Sequence, residues 1–324
     1  MKNILVTGIT GQDGLFLTSK LLDEYGSNVK IIGITRKEND KLFFNKLSTI
    51  NDKNFSSIKL LKLNLLDKES VQKLIEDVKF DFVYNLSGPS SVYDSLKNKS
   101  RTELLIYNYF NNLISAFKEA DYFPSFFQAS SSEMFGNVTN ESLVEDSRFS
   151  PNSPYAESKL KVHKLALDLR DELGWKICCG IMFNHESEFR EKEYLFMKII
   201  QYVEDLNKNG FKQKLKIGSL NIKRDWSYAG DICVAIYLIS HFANSSSYVL
   251  GSGKSVSINY IIDFIFKYYD LNYKDFVVTD KKLLRKGDPK NIFSNPHKIK
   301  KELGWEVKYS IDDLLIRCIQ KKFT

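Results

Sequence analysis

Short runs of apolar and β-branched residues alternate, through the first half of the chain, with longer stretches whose apolar positions recur every three or four residues. The short runs, at 3–7, 30–35, 58–63, 82–85, 125–130 and 176–182, predict strands. The longer ones, at 15–25, 68–77, 104–120 and 155–173, predict helices with one apolar face. Strand and helix in alternation imply right-handed βαβ units and a doubly wound parallel sheet. Beyond about residue 184 the pattern loosens. Helical stretches at 195–206, 231–243, 258–269 and 311–319 are separated by short β-like pieces. The expected division is a main domain over 1–183 and a smaller lobe over 184–324, with some chain crossing back to the main sheet.

Composition narrows the class. The chain has 324 residues, 43% hydrophobic and 27% charged, enough to build a sizeable core and unlike a disordered chain. Its net charge of +7 could serve nucleic acid or an anionic small molecule. The basic runs, such as Lys298-Ile299-Lys300-Lys301, are short and lack the interleaved aromatic platform of single-strand binders, so they read as solvated faces and no nucleic acid is expected. The four cysteines show neither disulfide nor metal spacing, and Cys178 and Cys179 would point to opposite faces of a strand. The opening apolar run is too short for a signal peptide and nothing is long enough to span a bilayer, so a cytoplasmic protein without a membrane partner is expected.

The first candidate chemistry lies where the first strand runs into Gly8-Ile9-Thr10-Gly11-Gln12-Asp13-Gly14 and then into a helix. Glycines let the backbone turn tightly and approach a pyrophosphate, which sits on the free N–H groups of the helix start. A glycine triplet alone is weak, but strand before and helix after make it a dinucleotide site. The second strand ends in Thr35-Arg36-Lys37, two cations where an NAD-binding chain carries an acid, so NADP is expected over NAD. The fold expected is therefore α/β, a Rossmann-like doubly wound sheet with a smaller C-terminal substrate-binding lobe.

The second lies further along. A predicted strand ends at Ser130, followed by Ser131, Ser132 and Glu133, and a separate helix start reads Ser153-Pro154-Tyr155-Ala156-Glu157-Ser158-Lys159. Tyr155 and Lys159, four apart, share one helix face, and an ammonium beside a phenol is expected to lower the phenol's pKa. If the strand continues one step, Ser131 and Glu133 face the same way and line one wall. A serine can orient a sugar hydroxyl for oxidation; a carboxylate adds a base able to remove a carbon-bound proton.

With these residues in view, the chain closely resembles the GDP-mannose 4,6-dehydratases, a family of extended short-chain dehydrogenases, almost end to end. The resemblance rests on the Gly8–Gly14 string, Val83-Tyr84-Asn85-Leu86, Gln128-Ala129-Ser130-Ser131-Ser132-Glu133, Ser153-Pro154-Tyr155-Ala156, Phe183-Asn184-His185-Glu186-Ser187, Arg224-Asp225-Trp226 and Leu303-Gly304-Trp305. It implies that Ser131 stands at the catalytic threonine position, Glu133 at the base, and Tyr155 with Lys159 at the redox pair. It implies cofactor contacts at Gly8, Thr10, Gly11, Gln12, Asp13, Gly14, Arg36, Asn64, Leu65, Leu86, Ser87, Tyr155, Lys159, His185 and Arg190. Ser90, Asn184, Lys198, Arg224 and Arg285 are implied at the nucleotide-sugar site, where arginine suits a diphosphate. A homo-oligomer, dimer or tetramer, is expected.

The departures are specific. Asn64 stands where the family has an adenine-binding aspartate, Gly88-Pro89-Ser90-Ser91 replaces a segment with a histidine near the sugar, and Glu188-Phe189-Arg190-Glu191 replaces Pro-Arg-Arg-Gly. Roughly thirty residues common in bacterial members are missing between Phe276 and Arg285, a length typical of surface loops. The reaction implied is oxidation at the sugar's C4, loss of water across C5 and C6, and hydride return to C6, acting on GDP-mannose or a GDP-manno-heptose. The alternatives are a GDP-sugar 4-dehydrogenase, epimerase or 4-keto reductase of the same fold, for which Glu133 discriminates. A basic RNA-binding or cofactor-sensing module would not need the serine, glutamate, tyrosine and lysine set.

Overall fold

The computed structural model describes residues 1–36, 41–138, 141–210, 213–243, 247–284 and 289–321. In the first half, strands β1 (Lys2–Thr7), β2 (Val29–Thr35), β3 (Ile58–Lys62), β4 (Phe82–Asn85) and β5 (Ser125–Ser131) alternate with helices α1 (Gln12–Tyr25), α2 (Lys41–Leu47), α3 (Lys68–Asp77), α4 (Val92–Lys97) and α5 (Lys99–Glu119). A two-residue strand β6 (Ser142–Leu143), helix α6 (Pro154–Leu173) and strand β7 (Ile177–Met182) follow. The remainder holds β8 (Asn184–Glu186), α7 (Leu195–Asn209), β9 (Leu215–Ile217), β10 (Lys223–Tyr228), α8 (Ala229–Phe242), β11 (Ser247–Leu250), β12 (Ser255–Ser257), α9 (Ile258–Tyr268), β13 (Val277–Thr279), β14 (Asn291–Ser294), α10 (His297–Leu303) and α11 (Ile311–Ile319).

Seven strands, in the order β11-β7-β5-β4-β1-β2-β3, form the main sheet, and every pairing in it is parallel. The chain winds outward from β1 to β3 and then returns to β4 on the other side of β1. That reversal opens a crevice at the carboxyl ends of β1 and β4, where ligands of such sheets bind. Alternate residues serve the two layers. Leu5, Val83, Phe126 and Cys179 pack with apolar residues of α3, α5 and α6, whereas Ile4, Val6, Tyr84, Phe127 and Cys178 pack with those of α1 and α8. The adjacent cysteines do face opposite ways, and all four cysteines are buried and free.

The seventh strand, β11, comes from beyond residue 184 and pairs with β7, Leu250 opposite Met182. All four of its residues are buried. A strand covered on both faces shows no alternation, so its sequence carries little signal. Conversely β6, from the first half, pairs with β14 in a second sheet of order β12-β10-β14-β6, to which β8 adds beside β10. Asp225 knits this lobe together: buried, it accepts the backbone N–H groups of Ser252, Gly253 and Ser294. Among the described residues no helix is long and apolar enough to cross a membrane.

Candidate active site

The crevice is built first by backbone. Gly8 leaves β1 at φ +71°, a left-handed conformation, and a Cβ there would come within 3.1 Å of the Ser87 backbone in the loop after β4. At Gly14 a Cβ would lie 2.4 Å from the Ile9 carbonyl, so helix and strand could not pack so closely. Gly11 is the N-cap of α1 and supplies no side-chain cap, which leaves first-turn N–H groups open to an anion. The helix begins at Gln12, inside the glycine motif.

A groove of about 640 Å³ extends from this point. Its walls include Gly8, Thr10, Gly11, Gln12, Asp13 and Gly14, then Arg36 after β2, Asn64 and Leu65 after β3, and Leu86, Ser87 and Ser90 after β4, with Arg190 from the second lobe. Its size and its place at the reversal of strand order suit an extended dinucleotide. Lys37, Glu38 and Asp40, beside Arg36, lie outside the described residues.

The chemistry-bearing side chains come from the end of β5, the turn after it and α6, and Ser131, Glu133, Tyr155 and Lys159 are not among the residues that line the groove. Ser153 caps α6 by accepting from the Ala156 N–H (3.2 Å), with Pro154 opening the first turn, and this places Tyr155 and Lys159 one turn apart on the buried face. Ser131 ends β5 and acts on the Tyr155 phenol, easing its ionisation. The strand does not continue to Glu133 as expected. Residues Ser132–Phe135 form a 3-10 turn in which the Ser131 hydroxyl accepts the Glu133 N–H at 3.2 Å. Glu133 is brought to the site by that turn, and its carboxylate acts electrostatically on the Tyr155 phenol. Tyr155 also feels the charges of Tyr194 and Arg190 of the groove wall.

The expected lowering of the Tyr155 pKa is not found. Burial raises it well above the ordinary phenol range, Glu133 adds to the rise, and Ser131 only moderates it. The Lys159 ammonium instead donates to the Ala129 carbonyl at 2.9 Å, with Nζ 5.8 Å from the Tyr155 ring. Burial lowers Lys159 to about 8, against the opposing pull of Asp13.

The Phe183–Ser187 segment ties the second lobe to the glycine loop. Gln12 donates to the His185 carbonyl (3.2 Å) and accepts from the Ser187 hydroxyl (2.7 Å). The His185 ring has Nδ1 2.7 Å from the Phe183 carbonyl and Nε2 3.1 Å from an Asp13 carboxylate oxygen. The Phe183 carbonyl and an ionised Asp13 both accept, an arrangement that favours the protonated ring and raises the His185 pKa. It approaches the cofactor crevice through Asp13 and is not itself part of the groove wall. Arg190 lies 3.3 Å from the buried Glu186 carboxylate and stacks 3.5 Å over the Tyr194 ring, while the Tyr194 hydroxyl reaches Ser90 at 2.7 Å. Burial lifts Glu186 to about 7 despite Arg190. Nothing in the local sequence singles out Tyr194.

The model of one family, GDP-mannose 4,6 dehydratase, matches residues 5–318 of the chain. The chain belongs to the GDP-mannose 4,6-dehydratase family. Its relatives include GDP-mannose 4,6 dehydratases 2 and 1 of Arabidopsis thaliana, 32% and 33% identical over 97% of this chain and 85% and 88% of theirs. The Dictyostelium discoideum GDP-mannose 4,6 dehydratase is 28% identical over 99% of this chain and 95% of its own. Solved structures of like fold include dTDP-glucose 4,6-dehydratase of Bacillus anthracis in complex with NAD (TM-score 0.84, 20% identity, 99% of this chain and 96% of that one). UDP-glucose 4-epimerase of Thermotoga maritima with UDP-glucose (0.83, 19%, 98% of both) and RMD of Pseudomonas aeruginosa with NADPH (0.79, 19%, 99% and 97%) share it.

The residues expected at a dehydratase sugar site are spread more widely. Asn184 opens β8 opposite Trp226 and is half-buried, and Lys198 is exposed on α7. Arg224 donates to the carbonyls of Pro289 and Lys223, both at 2.8 Å. Arg285 lies outside the described residues. The departure at Glu188–Glu191 also has a structural content: Phe189 is buried edge-on to Phe16 at 5.4 Å, while Glu188 accepts from the Tyr228 hydroxyl at 3.2 Å and lies 3.7 Å from Arg317 of α11. Glu188 and Phe189 are thus anchored into the core, while Arg190 and Glu191 still line the groove.

Proposed function

We propose that this chain is an NADP-dependent GDP-sugar 4,6-dehydratase acting on GDP-mannose or a GDP-manno-heptose. The observation that carries the reading is the meeting of Ser131, Glu133 and Tyr155, a hydroxyl and a carboxylate that both act on one buried phenol. The family and the names of its relatives support the reaction class. NAD in the Bacillus anthracis enzyme and NADPH in the Pseudomonas aeruginosa protein support a nicotinamide cofactor. Arg36, exposed in the groove wall and without a neighbouring acid in the described residues 29–36, favours NADP, since a guanidinium pairs with the 2′-phosphate. The altered Gly88–Ser91 segment, with Gly88 at φ +138°, keeps the heptose in view.

When bound, the nicotinamide supplies a hydride acceptor for the sugar's C4 and returns that hydride at C6. Residues after β1, β2, β3 and β4 would hold it, with the α1 N-terminus under the pyrophosphate. Tyr155 takes the C4 hydroxyl proton, oriented by Ser131. Its high proton affinity makes the phenolate a strong base and places the oxidation step on an alkaline-rising limb. The resulting 4-ketone acidifies the C5–H, which Glu133 removes. Ser131 and the now protonated Glu133 assist departure of the C6 hydroxyl, so that C5–H and C6–OH leave together as water.

The test is incubation of the wild-type protein with GDP-mannose in heavy water. Product lighter by one water, deuterated at C5 and formed without net cofactor reduction, is expected. Net accumulation of reduced cofactor with no loss of water would replace the reading by a 4-dehydrogenase, and no C5 deuterium would remove Glu133 as the base.

A further inference from the structure

The parallel register places Thr7 opposite Asn85 and Asn85 opposite Gln128, a polar rung across three adjacent central strands. All three are buried, at 0%, 3% and 3% exposure. Central parallel strands covered on both faces are ordinarily apolar, and each polar side chain there is costly unless hydrogen-bonded. This rung is bonded throughout. The Ser87 N–H donates to the Thr7 hydroxyl (3.2 Å), that hydroxyl to Asn85 Oδ1 (2.8 Å), Asn85 Nδ2 to Gln128 Oε1 (2.8 Å), and Gln128 Nε2 to the Ala129 carbonyl (2.9 Å). The chain ends on the carbonyl that also accepts Lys159 Nζ at 2.9 Å. It therefore runs from the loop after β4, at the cofactor groove, to the lysine of α6.

Two donors on one carbonyl have an electrostatic consequence. The Gln128 amide brings a positive hydrogen to the same oxygen as the ammonium, so the carbonyl stabilises the charged lysine less than it would alone. The titratable groups facing Lys159 are Asp13 of α1, itself paired with His185, and Tyr155 of its own helix, which Glu133 faces in turn. We propose that Gln128, oriented by Asn85 and Thr7, is a positioning residue for Lys159, sharing the Ala129 carbonyl so that the ammonium is held toward Tyr155 and gives up its proton readily. The proposal rests on Tyr155 and Lys159 being the redox pair of the function above, but its test does not require turnover.

Full-length protein labelled with 15N-lysine is titrated by side-chain NMR, with Lys159 assigned by Lys159→Met. Gln128→Met, which keeps length and loses both amide bonds, should raise the Lys159 midpoint by about half to one pH unit, a three- to tenfold gain in proton affinity. Thr7→Val, which removes the hydroxyl from the far end of the rung, should move it the same way by less, and stands in if Gln128→Met does not fold. A lysine that stays charged to higher pH favours the Tyr155 phenolate, so the rising limb of single-turnover cofactor reduction should move to lower pH while KM for the sugar stays put. A Lys159 midpoint that is unchanged or falls in the folded variants overturns the proposal. Failure of the wild-type protein to dehydrate GDP-mannose would instead defeat the function and leave this titration readable.

Discussion

Replacing Asp13 by asparagine removes one partner of an ion pair that the structure places under the glycine loop. The His185 ring nitrogens face two acceptors, the Phe183 carbonyl and Asp13, and the ring's pKa is raised: burial opposes the charge, and the Asp13 carboxylate overcomes it. For Asp13, burial opposes ionisation and is overcome by the His185 charge and hydrogen bond, which hold it at about 2 against an ordinary 3.8. At about 1.36 kcal/mol per pH unit, that difference corresponds to about 2 kcal/mol of folding stability. A depressed carboxylate contributes fully above its unfolded value near 4 and loses the contribution as pH falls toward 2. A raised imidazole contributes fully below about 6.5 and loses it as pH rises through its folded value. The wild-type pair is thus most stabilising between about pH 4 and 6.5. In Asp13→Asn the buried imidazole has no carboxylate, so its folded value drops below 6.5 and the variant loses stability as pH falls. Urea denaturation at pH 5.5 and 8, with NMR titration of the His185 ring, reads both effects. The expected result is a loss of about 2 kcal/mol at pH 5.5 and a reversed slope between the two pH values. Wild-type stability at pH 5.5 together with an unmoved His185 midpoint would show that the pair is not charged, and the geometric argument would fail.

Tyr155→Phe keeps the ring packed and removes the phenol, so cofactor binding, followed by fluorescence, should persist while both dehydration and transient cofactor reduction are lost; normal turnover would remove Tyr155 from the mechanism. Glu133→Gln should still reduce the cofactor in a single turnover but slow dehydration by about 10²–10⁴-fold, with 4-keto sugar accumulating and no deuterium entering C5. Dehydration at the normal rate would make Glu133 a structural residue. Arg36→Ala should weaken NADP by about 1.5–3 kcal/mol and NAD by much less, measured by calorimetric titration; an unchanged preference would refute the assignment of the 2′-phosphate to Arg36.

The local pattern carried the elements whose alternation or period is strong. β1 through β5 and β7 fall where the apolar runs predict them, and α3 ends where its periodicity ends. Helix α5 begins earlier than predicted, at Lys99, because its first turn, Lys-Ser-Arg-Thr, shows no apolar period. β11 was legible only as a β-like piece, and its place beside β7 depends on where the chain returns after α8. The wall of the groove was largely readable as well, since a strand followed by a glycine motif and then a helix leaves few places for the backbone to go.

What the sequence determined by itself was the set of chemical groups and the sheet that gathers them: spacing along one strand or one helix fixes which residues are neighbours, and glycines at fixed offsets fix a turn. What only the tertiary structure decided was the state of those groups. Tyr155 and Lys159 share a helix face as their spacing requires, but burial and the Glu133 carboxylate, with the Lys159 ammonium turned to the Ala129 carbonyl, make the phenol less acidic instead of more. Glu133 reaches the site because the strand stops and a 3-10 turn follows. The His185 pKa is raised because Asp13, far away in the chain, stands opposite its ring. Electrostatics and desolvation depend on every atom within several ångströms whatever its place in the chain, and a linear pattern records only the neighbours that covalent geometry supplies.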